Sequence, residues 1–129
     1  NLEDLLELGF HTNIPIALDE TIKNITSIET ALKINCGDVF IVKPQTFGSF
    51  ADINEAITLI KKEDKIPVIT SSLEGIIGRL SSMHIASANL IDNACGLGFD
   101  PIYDNEKQYI PIVVDGYVEI LDKIGLGYN

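Results

Sequence analysis

Three apolar runs of strand length, each followed by a helical pattern, constrain the fold of this chain more than any other feature. They read "IPIAL" (14–18), "DVFIVKP" (38–44) and "IPVITSS" (66–72). Their apolar residues are continuous rather than alternating, which is typical of parallel strands buried on both faces with helices outside. The chain is therefore predicted to be an α/β fold with parallel strands. Both an open doubly wound sheet and a (β/α) barrel fit the pattern.

The segments between these runs carry apolar residues at helical spacing. Helices are predicted over residues 2–8, 21–35, 49–65 and 73–88. Gly9 is placed to end the first helix, and Ser49 is placed to cap the third. A short fourth strand or strand-like turn is predicted at "ACGLGF" (94–99).

The last part of the chain has a different character. In "VVDGYV" an Asp-Gly pair lies between β-forming residues, which predicts a hairpin. The chain is accordingly divided into an α/β unit, residues 1–100, and a C-terminal segment with a hairpin, residues 101–129. Because the sequence begins at Asn1 inside a helical pattern, we expect it to be part of a longer protein.

Charge and cysteine content limit the partners of this chain. It has 9 basic and 19 acidic residues, for a formal net charge of -10. This balance disfavours nucleic acid and anionic membranes as partners, since both need basic patches. No apolar run approaches the roughly 18 residues of a membrane span. Cys36 and Cys95 lie far apart without metal-ligand spacing, so free, buried thiols in a reducing compartment are predicted.

In α/β folds the chemistry collects at the carboxyl ends of the strands, where loops join strands to helices. The polar residues and glycines predicted to lie there are Asp19 and Glu20, Lys43, Thr70, Ser71, Ser72 and Glu74, and Gly96 and Gly98. One acid, one lysine and a patch of hydroxyls on consecutive strand ends indicate metal-assisted chemistry on a carboxylate substrate.

The acids and the lysine each have two interpretations. Asp19 is a candidate ligand for a hard cation such as Mg²⁺, or it caps the following helix. Glu20 fits a cap or a supporting role better than direct ligation. Lys43 follows an apolar run, so it is a candidate base, acid or cation facing a developing charge, or it extends its amine to solvent.

The hydroxyls and the remaining motifs are less specific. "TSSLEG" fits either binding of a carboxylate or phosphate, or capping of the next helix. No GxSxG elbow is present, and the lone GxG of "CGLGF" predicts a tight turn rather than a dinucleotide site. Arg79 is expected on a helix surface or in an ion pair. His11 and His84 have no partner at ligand spacing and are predicted to be structural.

Four motifs in order carry a resemblance to a known family. They are "IPIALDET", "VFIVKPQTFGS", "VITSSLEGIIGR" and "GLGF", followed by a closing "VVDGYVEILDKIGLGY". Together they resemble the o-succinylbenzoate synthases of the enolase superfamily, most closely the type of cyanobacteria and plastids. The resemblance implies a modified (β/α)₇β barrel with an α+β capping domain. Residues 1–100 would then supply strands five to eight of the barrel.

The resemblance also implies an activity. These enzymes are Mg²⁺-dependent lyases that dehydrate 2-succinyl-6-hydroxy-2,4-cyclohexadiene-1-carboxylate in menaquinone and phylloquinone synthesis. Asp19 matches a metal ligand on the fifth strand, and Lys43 matches the sixth-strand lysine that stabilises the intermediate as a cation. By the same positions Thr70 and Ser71 contact the substrate carboxylate, and Gly96 and Gly98 line the pocket. Glu20 and Glu74 take supporting roles around these groups.

The departures from the family pattern are large. The capping domain, the Lys-x-Lys with the proton-abstracting base and the other two acidic metal ligands have no counterpart in this sequence. The chain alone is therefore expected to be inactive and to bind Mg²⁺ weakly. An open strand edge invites self-association. The location implied is the bacterial cytoplasm or the plastid stroma.

Two alternatives stay open. One is another enzyme of the superfamily, an N-acylamino acid racemase or dipeptide epimerase, in which the sixth-strand lysine is an acid/base. The other is a small, non-enzymatic α/β binding module, flavodoxin-like, whose acidic strand ends bind a cation.

Overall fold

A computed structural model describes residues 1–100, 103–120 and 123–127, except for the side chain of Glu106. The helices are α1 (Leu2–Phe10), α2 (Ile25–Lys33), α3 (Pro44–Phe47), α4 (Phe50–Lys62) and α5 (Ile76–Ala88), with a 3₁₀ helix at Asp104–Tyr109. The strands are β1 (Ala17–Leu18), β2 (Val39–Val42), β3 (Ile66–Ile69), β4 (Val113–Val114) and β5 (Tyr117–Val118). No helix in these described ranges is both long and apolar enough to cross a membrane.

The first three strands form one parallel sheet, in the order β1-β2-β3. Leu18 pairs with Phe40 and Val42 pairs with Ile69, so the strands end at a common edge. Beyond β3 the chain makes a single parallel bridge from Thr70 to Gly96. The predicted α/β fold with parallel strands is confirmed, and segment 94–99 is a strand-like turn rather than a full strand.

The main core lies between one face of this sheet and the helices α2 and α4. Phe40 and Val42 of β2 are fully buried there, together with Ile28 of α2 and Ile57 of α4. The opposite face carries the half-buried Val39, Ile41 and Val68, and it leaves Ala17 and Ile66 exposed. The expectation that both faces are buried is therefore wrong for the described chain, although the residues of the second face are apolar.

Several boundaries differ from the predicted ones for local reasons. Helix α1 continues through Gly9, because the backbone N–H of His11 still donates to the carbonyl of Leu8. Strand β1 is only two residues long, since Pro15 has no N–H to donate to a neighbouring strand. Pro44 ends the second apolar run by starting α3, where a proline at the first helical position is well tolerated.

Two features predicted from single residues are confirmed. Ser49 caps α4 through a capping box, in which its hydroxyl accepts from the N–H of Asp52 and the Asp52 carboxylate accepts from the N–H of Ser49. The Asp-Gly pair turns an antiparallel hairpin between β4 and β5. Both Asp115 and Gly116 have positive φ there, as a two-residue hairpin turn requires.

The C-terminal segment packs on α5. Ile76, Leu80 and Met83 of that helix form a second apolar cluster with residues of the segment, among them Ile110 and Val118. The division of the chain into units 1–100 and 101–129 stays a prediction.

Candidate functional site

The carboxyl edge of the sheet brings together the acids and the lysine. Asp19 follows β1 and Lys43 follows β2, so the parallel register places them side by side. Nζ of Lys43 lies 2.5 Å from Oδ1 of Asp19 and 3.5 Å from Oε1 of Glu20. The Lys43 side chain is 25% exposed, which makes it neither a free solvent-facing amine nor a fully buried one.

Asp19 holds Lys43 in its charged form. The hydrogen-bonding contact with the Asp19 carboxylate raises the pKa of Lys43, partial burial opposes this, and the charges of Asp19 and Glu20 add to the rise. Lys43 is therefore a cation at neutral pH, available to face a negative charge but not to take up a proton.

The capping interpretation of the acids is wrong. Helix α2 begins only at Ile25, and its cap is the side chain of Asn24, which accepts from the backbone N–H of Ser27. Asp19 instead begins a turn in which its carbonyl accepts from the N–H of Ile22. The Asp19 carboxylate thus has no role in starting the helix.

The hydroxyl cluster follows β3 and contacts the segment at Gly96 and Gly98. Ser71 donates to the carbonyl of Gly96 through both its N–H, at 3.0 Å, and its Oγ, at 3.1 Å. The N–H of Gly98 in turn donates to Ser71 Oγ at 3.4 Å. The structure therefore places Ser71, Gly96 and Gly98 in one hydrogen-bonded group beside Thr70.

Two hydroxyls of this cluster lack a partner. In the described part of the chain, Thr70 Oγ1 and Ser72 Oγ are buried and make no hydrogen bond. They do not cap α5 either, because its cap position is Gly75 and no side chain bonds there. Buried polar atoms without partners are uncommon, so these hydroxyls are candidates for contact with a bound molecule.

Glu74 folds back over its own loop. Its Oε2 accepts from the N–H of Ser72, while Oε1 has no partner among the described residues. A Cβ atom at Gly78 would lie 2.5 Å from Glu74 Cγ, so the close approach of this side chain requires glycine on α5. Gln45 approaches the same position and donates to the carbonyl of Gly78 at 3.3 Å.

Arg79 is not the surface or ion-pair residue expected from the sequence. It is buried in the first turns of α5, and it donates to the backbone carbonyls of Glu74 and Asp100. Glu74 was predicted to lie inside this helix, which in the structure begins only at Ile76, and Asp100 is distant in sequence, so no pattern in the sequence indicated either contact. His11 is exposed and His84 is half-buried.

The two cysteines are free, as predicted. Cys36 is buried, and burial raises the pKa of its thiol. Cys95 is only half-buried, which corrects the expectation that both thiols lie in the core.

The similarity of this chain to known proteins identifies its family. A model of the enolase C-terminal domain-like family matches residues 1–129. The chain belongs to this family. Its members are enzymes, and the resemblance to an o-succinylbenzoate synthase-like member of the enolase superfamily is confirmed.

Among curated relatives, o-succinylbenzoate synthase of Mycobacterium leprae (strain TN) is 29% identical over 120 residues, which cover 91% of this chain and 34% of the relative. The enzyme of the same name from Mycobacterium tuberculosis (strain ATCC 25618 / H37Rv) is 26% identical over 119 residues, covering 91% and 35%. This enolase-family chain thus spans about a third of the length of these relatives.

Solved structures of the superfamily share the fold. N-succinyl Arg/Lys racemase from Bacillus cereus ATCC 14579 matches with a TM-score of 0.71 and 15% identity over 75% of this chain and 26% of the racemase. Dipeptide epimerase from Enterococcus faecalis V583, complexed with Mg and the dipeptide L-Leu-L-Tyr, matches with a TM-score of 0.71 and 20% identity over 75% and 28%.

The donors at this edge suit a hard cation but do not complete a site. Asp19 and Glu20 offer carboxylate oxygens, the ligand type that Mg²⁺ prefers. No group of three or more His, Cys, Asp or Glu side chains suited to a metal occurs in the portion of the chain that the structure describes. The residues therefore fit part of a magnesium shell, with Asp19 the carboxylate nearest to Lys43.

Proposed function

We propose that this chain forms the C-terminal barrel portion of an o-succinylbenzoate synthase, a Mg²⁺-dependent carbon–oxygen lyase. The reaction removes a proton from C1 of 2-succinyl-6-hydroxy-2,4-cyclohexadiene-1-carboxylate and the hydroxyl from C6. Water leaves and the aromatic ring of o-succinylbenzoate forms. The observation that carries the proposal is the Lys43 cation held beside Asp19 at the carboxyl edge of the sheet.

Lys43 acts on the charge that develops in the substrate. Loss of the C1 proton leaves negative charge spread over the carboxylate and the ring. A fixed ammonium at the strand edge stabilises that charge without rearranging during the reaction. Because Asp19 raises the pKa of Lys43, the amine enters the reaction as a cation at neutral pH. The proton of C1 passes to another base, which the resemblance places on an earlier strand.

The hydroxyl cluster binds the acid end of the substrate. Thr70 Oγ1 is buried without a partner among the described residues, and Ser71 Oγ is oriented by Gly96 and Gly98. A carboxylate accepting from the Thr70 hydroxyl would give that oxygen a partner, while Ser71, whose own hydroxyl donates to Gly96, holds the neighbouring segment in place. Apart from its chain neighbours, no described residue lies within 4 Å of a Cβ built at Gly98, which leaves room for a ligand next to Ser71.

Asp19 would supply one ligand of the magnesium ion, with Glu20 and Glu74 in supporting positions. A bound Mg²⁺ would supply positive charge opposite the negative charge that develops on the substrate carboxylate. The remaining ligands and the base belong to other strands of the family barrel. We therefore predict that residues 1–129 alone do not turn over substrate.

A second candidate is racemisation or epimerisation of an amino acid derivative, since the racemase and the dipeptide epimerase share this fold. In that reaction Lys43 would exchange a proton with the substrate. A charged Lys43 would serve there as the acid that returns a proton to the substrate, because an amine held in its charged form is a poor base.

An assay on the product of the complete reading frame that encodes this chain separates the two candidates. The protein is incubated with Mg²⁺ and either the cyclohexadiene substrate or N-succinyl amino acids and dipeptides in D₂O. We expect o-succinylbenzoate from the first and no deuterium exchange at the α-carbon of the others. Exchange without dehydration would replace the proposal with the second candidate.

The proposed setting follows the same enzyme. Its partner is a small carboxylate substrate of menaquinone or phylloquinone synthesis, in the bacterial cytoplasm or the plastid stroma. The two-residue edge strand β1 would meet the preceding barrel strand or a second copy of the chain.

A further inference from the structure

Arg79 is a buried cation in an unfavourable place. Its side chain is 4% exposed, and it lies in the first turns of α5, where the helix dipole disfavours positive charge. No carboxylate among the described side chains forms an ion pair with it. Burying a charge in such a position costs stability, and the hydrogen bonds of the guanidinium offset that cost.

The hydrogen bonds of Arg79 join two separate loops. Nε donates to the carbonyl of Glu74 at 2.9 Å, and one terminal nitrogen donates to the carbonyl of Asp100. Glu74 ends the loop over 70–74, and Asp100 ends the segment over 96–100. The first loop follows β3, and the second lies after α5. The guanidinium of Arg79 connects the C-terminal ends of these two loops.

The near ends of the same loops are already joined by Ser71, which bonds to Gly96 and Gly98. Two sets of hydrogen bonds therefore connect the loops. Ser71 makes one set at the strand edge, and Arg79 makes the other at the C-terminal ends of the loops. The same two loops carry Gly98, where a Cβ would meet no other described residue within 4 Å, and the Ser72 hydroxyl, which has no hydrogen-bond partner in the described part of the chain.

We propose that Arg79 is a positioning residue that sets the spacing between loop 70–74, which contains Ser71, and loop 96–100, which contains Gly98. Through these two loops it affects how tightly the substrate carboxylate binds. The identification of this edge as the acid-binding edge rests on the proposed function, whereas the bridge between the loops does not. Arg79 does not contact Asp19 or Lys43, so it acts on substrate binding rather than on the charge of the reaction.

The test uses Arg79→Lys in the product of the complete reading frame. Lysine keeps the charge but lacks the planar fork that reaches two carbonyls in fixed directions. We expect KM to rise about tenfold with kcat changed less than about threefold, the pattern of lost binding common to ground and transition states. Amide hydrogen exchange should also accelerate in 70–75 and in 96–100 together. Arg79→Gln, which keeps one donor group, is a second variant if Arg79→Lys folds poorly.

Lys61→Met is the matched control. Lys61 is also a cation that donates to two carbonyls, those of Asn89 at 2.7 Å and Leu90 at 3.1 Å, but at the opposite end of α5. Its variant should lower thermal stability without changing KM or the exchange of either loop.

The outcomes are distinct. Unchanged KM and unchanged exchange in Arg79→Lys overturn the proposal, and so does faster exchange with an unchanged KM. A wild-type protein without dehydratase activity overturns the proposed function instead. In that case, faster amide hydrogen exchange of both loops together in Arg79→Lys still shows that Arg79 positions them, and unchanged exchange shows that it does not.

Discussion

Nζ of Lys43 lies 2.5 Å from Oδ1 of Asp19, although 24 positions separate the two residues in the sequence. The contact exists because both residues directly follow strands that pair in parallel register. It places a fixed cation beside a carboxylate at the edge of the sheet. The predictions for the site start from this pair.

Replacing Asp19 with Asn should lower the pKa of Lys43, because the hydrogen bond to the carboxylate is the largest cause of its rise. Glu20→Gln should lower the Lys43 pKa less, since Glu20 lies 3.5 Å away and is 84% exposed. NMR titration of the lysine ε-carbon shift measures both values. Equal effects of the two variants would contradict the dominance of Asp19.

The same shift predicts the pH dependence of stability. The pKa of Lys43 is higher in the fold than in the unfolded chain, so the pair stabilises the fold fully below about pH 10. That contribution is lost as the pH rises through the folded pKa. Because both side chains are partly exposed, its size should be at most about 1 kcal/mol. The melting temperatures of wild type and Lys43→Met should therefore differ at neutral pH, and the difference should shrink as the pH rises through the folded pKa of Lys43.

Magnesium binding should depend on Asp19 more than on Glu20. In the product of the complete reading frame, Asp19→Asn should weaken Mg²⁺ about tenfold or more by calorimetry, and Glu20→Gln should have a smaller effect. The 129-residue chain, checked for folding by circular dichroism, should bind Mg²⁺ only weakly. Submillimolar affinity of that chain would show that its own residues complete the site.

Two glycines of the strand-like turn should respond differently to alanine. A Cβ at Gly96 would lie 2.8 Å from Thr70 Cγ2, so Gly96→Ala should lower the melting temperature. A Cβ at Gly98 would meet no other described residue within 4 Å, so Gly98→Ala should leave the melting temperature unchanged. If substrate occupies that space, Gly98→Ala raises KM. An unchanged KM in a stable Gly98→Ala protein would remove Gly98 from the pocket.

The sequence was most informative where a single residue has a local consequence. Ser49 marked the start of α4, and the Asp-Gly pair marked the hairpin, because capping and turn geometry depend on neighbours in the chain. Continuous apolar runs also predicted parallel strands, and this brought Asp19, Lys43 and Thr70 to one edge without further assumptions.

Contacts between distant loops could not be predicted in this way. Arg79 was expected at the surface because its partners are backbone carbonyls, which every residue has and no pattern marks. The start of α2 was misplaced for a related reason. Several polar residues in "DETIKN" are able to cap a helix, and only the path of the chain selects Asn24 over Asp19.

The most direct test of the proposed role of this edge is the dehydration rate of Lys43→Ala in the product of the complete reading frame. Lys62→Ala, a change at an exposed lysine at the end of α4, is the control and should keep the wild-type rate. Removing a fixed charge that stabilises the transition state typically costs about a hundredfold or more in kcat. We therefore predict a loss of at least about a hundredfold for Lys43→Ala with retained folding. A kcat within about twofold of wild type would contradict the assignment of Lys43 as the stabilising cation.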